Sequence, residues 1–141
     1  MLDLESAKKQ LTESGYTCVL CKGDAVFRSR IRGVAPLLEF LDSERSFCGF
    51  SAADKVVGKG AALLYVLLGV SAVHAMVISA AAYAVLREAG VRVTYGEMVP
   101  YIKNRAGNGR CPIEAAVSGT SDAIDALPII RDTYLALQQN K

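Results

Sequence analysis

Phe50–Val70, FSAADKVVGKGAALLYVLLGV, is the stretch whose reading decides the fold. Read as one helix from about Ser51 to Gly69, it is apolar on every side after Gly60 and carries Asp54, Lys55 and Lys59 in its first turns. A helix hydrophobic all round belongs in a large core or in a membrane. Its charges gather at the N-terminal end, which aims that end at something. Ser51-Ala52-Ala53-Asp54 has the spacing of a capping box, with Ser51 as N-cap and Asp54 reaching back to its amide. Lys55 and Lys59 then lie one turn apart on one face, a like-charge pair that costs about 0.2–0.5 kcal/mol. They also sit at the positive end of the helix dipole, where cations are disfavoured. A bound phosphate or carboxylate relieves both penalties, and Gly58 and Gly60 let another backbone or a ligand approach closely. The blander alternative sends both lysines to the surface or pairs them with acids elsewhere.

After this helix, Val73–Ile78 (VHAMVI) is apolar on both faces, the mark of a central strand covered on each side. Ala80–Ala89 reads as a helix closed by Gly90, and Val91–Tyr95 as the next strand, a β-α-β unit with parallel strands and a right-handed crossover. Before it, Leu2–Ser14 is an amphipathic helix with Leu4 and Leu11 on one face and Gly15 as its stop. Tyr16–Lys22 and Ala25–Arg30 form a hairpin around Gly23-Asp24. Val34–Leu41 is a short helix that tolerates Pro36 in its first turn. Gly96–Ala106 and Pro112–Ser118 read as short helices around the polar loop Asn104–Cys111, and Ser121–Gln139 as a helical region interrupted at Pro128. The order α-β-β-α-α-β-α-β-α implies a three-layer α/β/α fold with a mixed sheet.

A length of 141 residues suits one domain over 1–141. Hydrophobic residues at 52% and charged residues at 21% depart from the globular norm toward extra burial, so a homo-oligomer is expected. A net charge of +2 is too small to argue for nucleic acid or an anionic membrane. Four irregularly spaced cysteines and an amphipathic, unexport-like start point to reduced thiols and a cytoplasmic protein. From Gly60 to Leu86 no Asp, Glu, Lys or Arg occurs, formally a transmembrane candidate. Gly69, Ser71, His74 and Ser79, with a pattern change near Ser71, favour a helix followed by a buried strand and no membrane.

Asn104–Glu114 (NRAGNGRCPIE) is a second chemical cluster. Arg105 and Arg110 flank two glycines and Asn108, and Cys111-Pro112 opens a helix with Pro at its first position. Exposed amides, arginine forks and a helix N-terminus make another anion cradle beyond a strand's C-terminal end. The alternative is a solvated glycine loop. Cys111 beside Arg110 is a candidate low-pKa thiol, with no histidine near it in sequence to act as base. Cys18 and Cys21 match C-x-x-C only as a string, since on a strand their side chains point to opposite faces. Arg28, Arg30 and Arg32 share one face of an extended strand, a ribbon able to touch nucleic-acid phosphates, yet charges on a hairpin edge also guard against aggregation. His74, among apolar neighbours, reads as a hydrogen-bonded core residue.

YTCVLCKGDAVFRSRIRGVAPLLEFLDSE, CGFSAADKVVGKGAALLYVLLGV and VTYGEMVPYIKNRAGNGRCPIE together resemble the family called domain of unknown function 1893, over about Leu2 to Val117. The resemblance implies a cytidine-deaminase-like fold and brings no known activity with it. Zinc deaminases place H-x-E or C-x-E at one helix start and P-C-x-x-C at the next. The corresponding positions here read Ala53-Asp54-Lys55 and Ser79-Ala80-Ala81-Ala82, so the resemblance implies neither a metal site nor a cofactor.

These readings converge on a deaminase-like domain without zinc that binds a small anionic or nucleotide-like ligand through Lys55, Lys59, Asn104, Arg105, Asn108 and Arg110. If it is catalytic, Lys55 is the expected base or nucleophile, with Asp54 as its partner and Cys111 as a second candidate. The rival reading is a non-catalytic, oligomeric interaction or regulatory module.

Overall fold

A computed structural model describes residues 2–139. Its elements are α1 (Leu2–Ser14), β1 (Cys18–Lys22), β2 (Ala25–Ser29), α2 (Ala35–Asp42), β3 (Ser51–Val57), α3 (Lys59–Leu68), β4 (Ala72–Ser79), α4 (Ala80–Glu88), β5 (Arg92–Val99), α5 (Pro112–Ala116) and α6 (Ala123–Gln139). One mixed sheet has the order β2-β1-β3-β4-β5, with β2, β1 and β3 antiparallel and β3, β4 and β5 parallel. The three-layer α/β arrangement expected from the sequence is present.

The deciding stretch is not one helix. Ser51–Val57 is a strand, and the helix begins only at Lys59, after Gly58 as its N-cap. Ala52 and Ala53 are both fully buried, Ala52 in the core beneath α3 and Ala53 against α1 on the opposite face. A strand packed by helices on both faces shows no polar/apolar alternation, and small residues let both helices come close. That composition mimics a helix. The capping box therefore does not form, because Ser51 starts a strand. Lys55 and Lys59 are not one turn apart on a helix either, because Lys55 belongs to β3.

Other elements lie close to their expected places. Leu4 and Leu11 of α1 are both buried, and the β1–β2 hairpin turns at Gly23, whose φ of 59° a side chain would resist. Helix α3 ends at Gly69 with a left-handed φ of 78°. Two expectations fail. Gly96–Ala106 is not helical, since β5 runs on to Val99 and a loop follows. Helix α6 passes through Pro128 without interruption. His74 is hydrogen-bonded to Thr94 Oγ1 at 2.7 Å, as a satisfied histidine should be, but it is half-exposed and lies outside the core.

Helix α1 covers one face of the sheet, packing Ala7 and Leu11 on Val19, Cys21 and Ala53. On the other face lie α3 and α4, with α2 and α6 packed against α3 and α5 between α3 and α6. All four phenylalanines, Phe27, Phe40, Phe47 and Phe50, join in one cluster of edge-to-face and tilted contacts that ties β2, α2 and the approach to β3 together.

Side-chain alternation slips at the same level in neighbouring strands. Ala52, Asp54 and Val57 face α3 on β3, while Val73, Ala75 and Ile78 face it on β4. Lys55 and Val56, then Met76 and Val77, are consecutive residues outside that core. Because Asp54 pairs with Ala75 and Val56 with Val77, the strands stay in register and share the slip. Strand β5 continues it at Gly96, where an added Cβ would lie 2.9 Å from the Met76 carbonyl oxygen. Only glycine fits there.

Candidate functional site

Two parallel neighbouring strands deliver two helix N-termini side by side. Strand β3 ends at Val57, paired with Ile78, and leads through Gly58 into α3. Strand β4 ends at Ser79, which is the N-cap of α4 and accepts a hydrogen bond from Ala82 N at 3.2 Å. The first amides of each helix have no partner within it and carry partial positive charge. The C-terminal ends of strands in an open α/β sheet are where ligands gather.

Here the chain's own carboxylate takes that place. Glu114 Oε2 accepts from Lys59 N at 2.7 Å and from the Ser79 hydroxyl at 2.6 Å. Its Oε1 accepts from Ile102 N at 2.6 Å. Only 5% of Glu114 is exposed. Helix α5 delivers it, starting at Pro112 after Cys111 as N-cap. Close approach depends on two glycines: a Cβ on Gly60 would lie 2.5 Å from Ile113 Cγ2, and one on Gly58 would lie 3.1 Å from Glu114 Oε2. The sequence suggests another backbone or a ligand at Gly58 and Gly60; side chains approach instead, Ile113 of α5 at Gly60, and Glu114 of α5 with Ile102 at Gly58.

Lys59 is buried at 8% exposure, and its Nζ donates to the Ser118 carbonyl at 3.1 Å, just past α5. Its amide and its side chain thus both hold the segment that closes the seat. Lys55 is exposed and points away from α3, with its backbone amide donating to Thr17 O at 3.1 Å. Asp54 faces inward instead. Its Oδ2 accepts from the Tyr65 hydroxyl at 2.6 Å and its Oδ1 from Val56 N at 3.2 Å. Tyr65 in turn lies 3.3 Å from Cys18 Sγ. Loss of solvent raises the Asp54 carboxyl to about 7, against the pull of the Tyr65 hydroxyl and the backbone amides. Burial and the Asp54 charge together push the Cys18 thiol and the Tyr65 hydroxyl up. Asp54 and Lys55 therefore lie on opposite faces of one strand and do not act as a pair.

Asn104, Arg105, Asn108 and Arg110 share a loop in which the two asparagines satisfy each other. Asn104 Nδ2 donates to Asn108 Oδ1 at 3.0 Å, Asn108 N to Asn104 Oδ1 at 3.1 Å, and Asn104 N to Gly109 O at 2.8 Å. The Arg110 guanidinium stacks 5.0 Å from the centre of the Tyr101 ring, and Arg105 is exposed. Cys111 N donates to Ile102 O at 2.8 Å, which anchors the loop beside the Glu114 seat. The structure thus brings Lys59 and this loop's base together, and leaves Lys55 and Asp54 elsewhere.

Cys18 and Cys21 face opposite sides of the sheet, one in the α3 core and the other under α1. Arg28 and Arg30 both stack on Tyr16, at 5.1 and 4.2 Å, and donate to Gln10 and to the Ser14 carbonyl. Among the described residues no group of three His, Cys, Asp or Glu could hold a metal ion, and no helix is long and apolar enough to cross a membrane. A cleft of about 600 Å³ lies at the opposite ends of the strands, lined in part by Ser51, Ala72 and Arg92, and one of about 250 Å³ surrounds the Asp42–Arg131 ion pair.

Sequence reasoning missed Glu114, Ser79 and Tyr65. Glu114 closes the second cluster, NRAGNGRCPIE, two residues after Pro112, where an acid normally reads as a local helix-start charge. Its partner 55 positions away has no local signal.

Residues 6–134 match the family described as Domain of unknown function (DUF1893). The chain belongs to that family. A solved structure of a DUF1893 family protein (TM1506) from Thermotoga maritima is 28% identical, covers 98% of this chain and 90% of that one, and superposes with a TM-score of 0.83. A dCMP deaminase from the cyanophage S-TIM5, in apo form, is 14% identical with a TM-score of 0.45, over 70% of this chain and 94% of that one. No curated protein matches the sequence of this DUF1893 chain.

Proposed function

We propose that this DUF1893 chain is a non-catalytic interaction or regulatory module whose strand-end seat is closed from within and whose work is done by its surface. The observation that carries this reading is Glu114, buried and bonded through both oxygens to Lys59 N, Ser79 Oγ and Ile102 N. An anion is what two converging helix N-termini select, and the chain supplies its own. A small anionic or nucleotide-like ligand at this end has to displace Glu114 and leave its charge without those donors, at a cost of several kcal/mol for a buried carboxylate. A ligand site that draws on the Lys59 amide carries that cost. Thermal-shift titration of the full chain with inorganic phosphate, nucleoside monophosphates and short carboxylates tests the reading. None is expected to stabilise the wild type. Stabilisation by one of them that Lys59→Met or Arg110→Ala removes overturns the closed-seat reading in favour of a ligand-binding site.

A further inference from the structure

We propose that the open part of the sheet face shared with α1 is a docking surface for a second copy of this chain, an inference that rests on the surface-acting module proposed above. Parallel strands are found almost only with both faces covered. Strands β3, β4 and β5 are parallel, and α3 and α4 cover one face. On the other face α1 packs against β1 and β3 and barely reaches β4. At the shared slip, that face presents two rows across the three strands: Val56, Val77 and Glu97, which pair in register, and Lys55, Met76 and Gly96, which lie between that row and the paired Asp54, Ala75 and Tyr95. Val56 is 46% and Met76 40% exposed, aliphatic surface on a sheet that needs a cover.

The charges say what the cover is. Lys55 and Glu97 stand at opposite corners of the patch, with Val56, Met76 and Val77 between them, and neither forms an ion pair among the described residues. A two-fold interface must be complementary to itself, each residue meeting its counterpart's partner on the other subunit. A two-fold axis lying in this face sets Lys55 of each copy over Glu97 of the other, with the aliphatic residues at the centre. A single basic or acidic partner would satisfy one corner and oppose the other. Gly96 keeps the slip tight by allowing the Met76 carbonyl within 2.9 Å of where a side chain would be.

Sedimentation equilibrium of the full chain, from about 1 to 100 µM, tests the proposal across the range where a modest interface dissociates. The wild type is expected to be a dimer. Lys55→Glu and Glu97→Lys, each alone, are expected to weaken the dimer at least about tenfold, one like-charge contact appearing at each of two symmetric places. The Lys55→Glu/Glu97→Lys double variant is expected to restore it. A wild-type monomer at 100 µM, or a dimer indifferent to both single reversals, overturns the proposal. So does a failure of the double variant to recover while circular dichroism shows it folded. Each of these outcomes leaves the anion titration unaffected, and the closed-seat reading stands or falls on that titration alone.

Discussion

The Ser79 hydroxyl donates a 2.6 Å hydrogen bond to Glu114 Oε2 while accepting one from Ala82 N, so one oxygen joins the cap of α4 to the side chain of α5. Glu114 Oε2 also takes the first amide of α3. Two helix starts and a third, short helix are thereby fixed to a single carboxylate. Helix α5 spans only Pro112–Ala116, too short to be stable by itself. Its position is held by this carboxylate, by Ile113 against Gly60, and by the Lys59 bond to Ser118 O.

Glu114→Gln is expected to destabilise the fold by about 1.5–3 kcal/mol, the range for losing a hydrogen bond to a charged group. Its amide supplies one acceptor oxygen, and its NH2 must face a donor wherever it is turned. Glu114→Ala leaves Lys59 N, Ile102 N and Ser79 Oγ short of an acceptor and is expected to cost more. Urea unfolding reads both as a lower midpoint with an unchanged slope. A Glu114→Ala midpoint equal to that of the wild type contradicts the role given to this carboxylate.

Asp54 makes stability depend on pH in a direction opposite to a salt-bridged carboxylate. Its folded-state value is raised to about 7, against about 3.9 in an unfolded chain. The folded state therefore holds the proton more tightly, and stability falls as pH rises from about 4 to about 7, with no further loss from this group above that. Asp54→Asn keeps an acceptor for the Tyr65 hydroxyl and carries no charge to desolvate. It is expected to exceed the wild type in stability at pH 8 by at least about 1 kcal/mol, one pKa unit's worth, and to converge with it near pH 4. Chemical denaturation of both proteins across that range measures the difference. A difference that does not change with pH refutes the assignment.

How much of this was legible in the sequence depended on where each signal was local. Helix α1, the Gly23 turn, Gly69 as a helix stop and Pro112 as a helix start are chemistry within a few residues, and each lies where expected. Strand β3 was illegible because its Ala52 and Ala53 answer to helices on two faces, so SAADKVV has a helix former's composition without a strand's alternation. The same misreading moved Asp54 and Lys55 onto a helix start they do not occupy. Lys59 opens α3, eight residues after the helix start that the sequence suggests, and what meets that end comes from 55 positions away, which no local pattern encodes.

Gly60→Ala separates helix propensity from packing. In an ordinary helix interior the change gains up to about 1 kcal/mol. Here the new methyl meets Ile113 Cγ2 at 2.5 Å, and that branch is fixed to a buried β-carbon. Overpacking of this kind costs about 1–3 kcal/mol, so a net loss is expected. Ile113→Ala removes the obstructing methyl, and the double variant is expected to be more stable than the sum of the two single losses. Additive losses in a double-mutant cycle show that the two residues do not meet.

The four cysteines are expected to react in an order set by the fold. Cys48 is exposed and Cys111 partly buried, whereas Cys18 and Cys21 are 3% and 1% exposed. Thiol reagents attack the thiolate, and burial pushes both Cys18 and Cys21 up, with the Asp54 charge adding to the rise at Cys18. Under native conditions Cys48 should be modified first and Cys111 more slowly, while Cys18 and Cys21 wait for unfolding. Tyr65→Phe removes the hydroxyl that lies 3.3 Å from Cys18 Sγ without opening a path from solvent. Cys18 labelling in that variant should track its global unfolding as measured by urea. Mass-spectrometric time courses in increasing urea resolve each cysteine separately. Labelling of Cys18 at the rate of Cys48 in native buffer is incompatible with a Cys18–Tyr65 contact sealed inside the core.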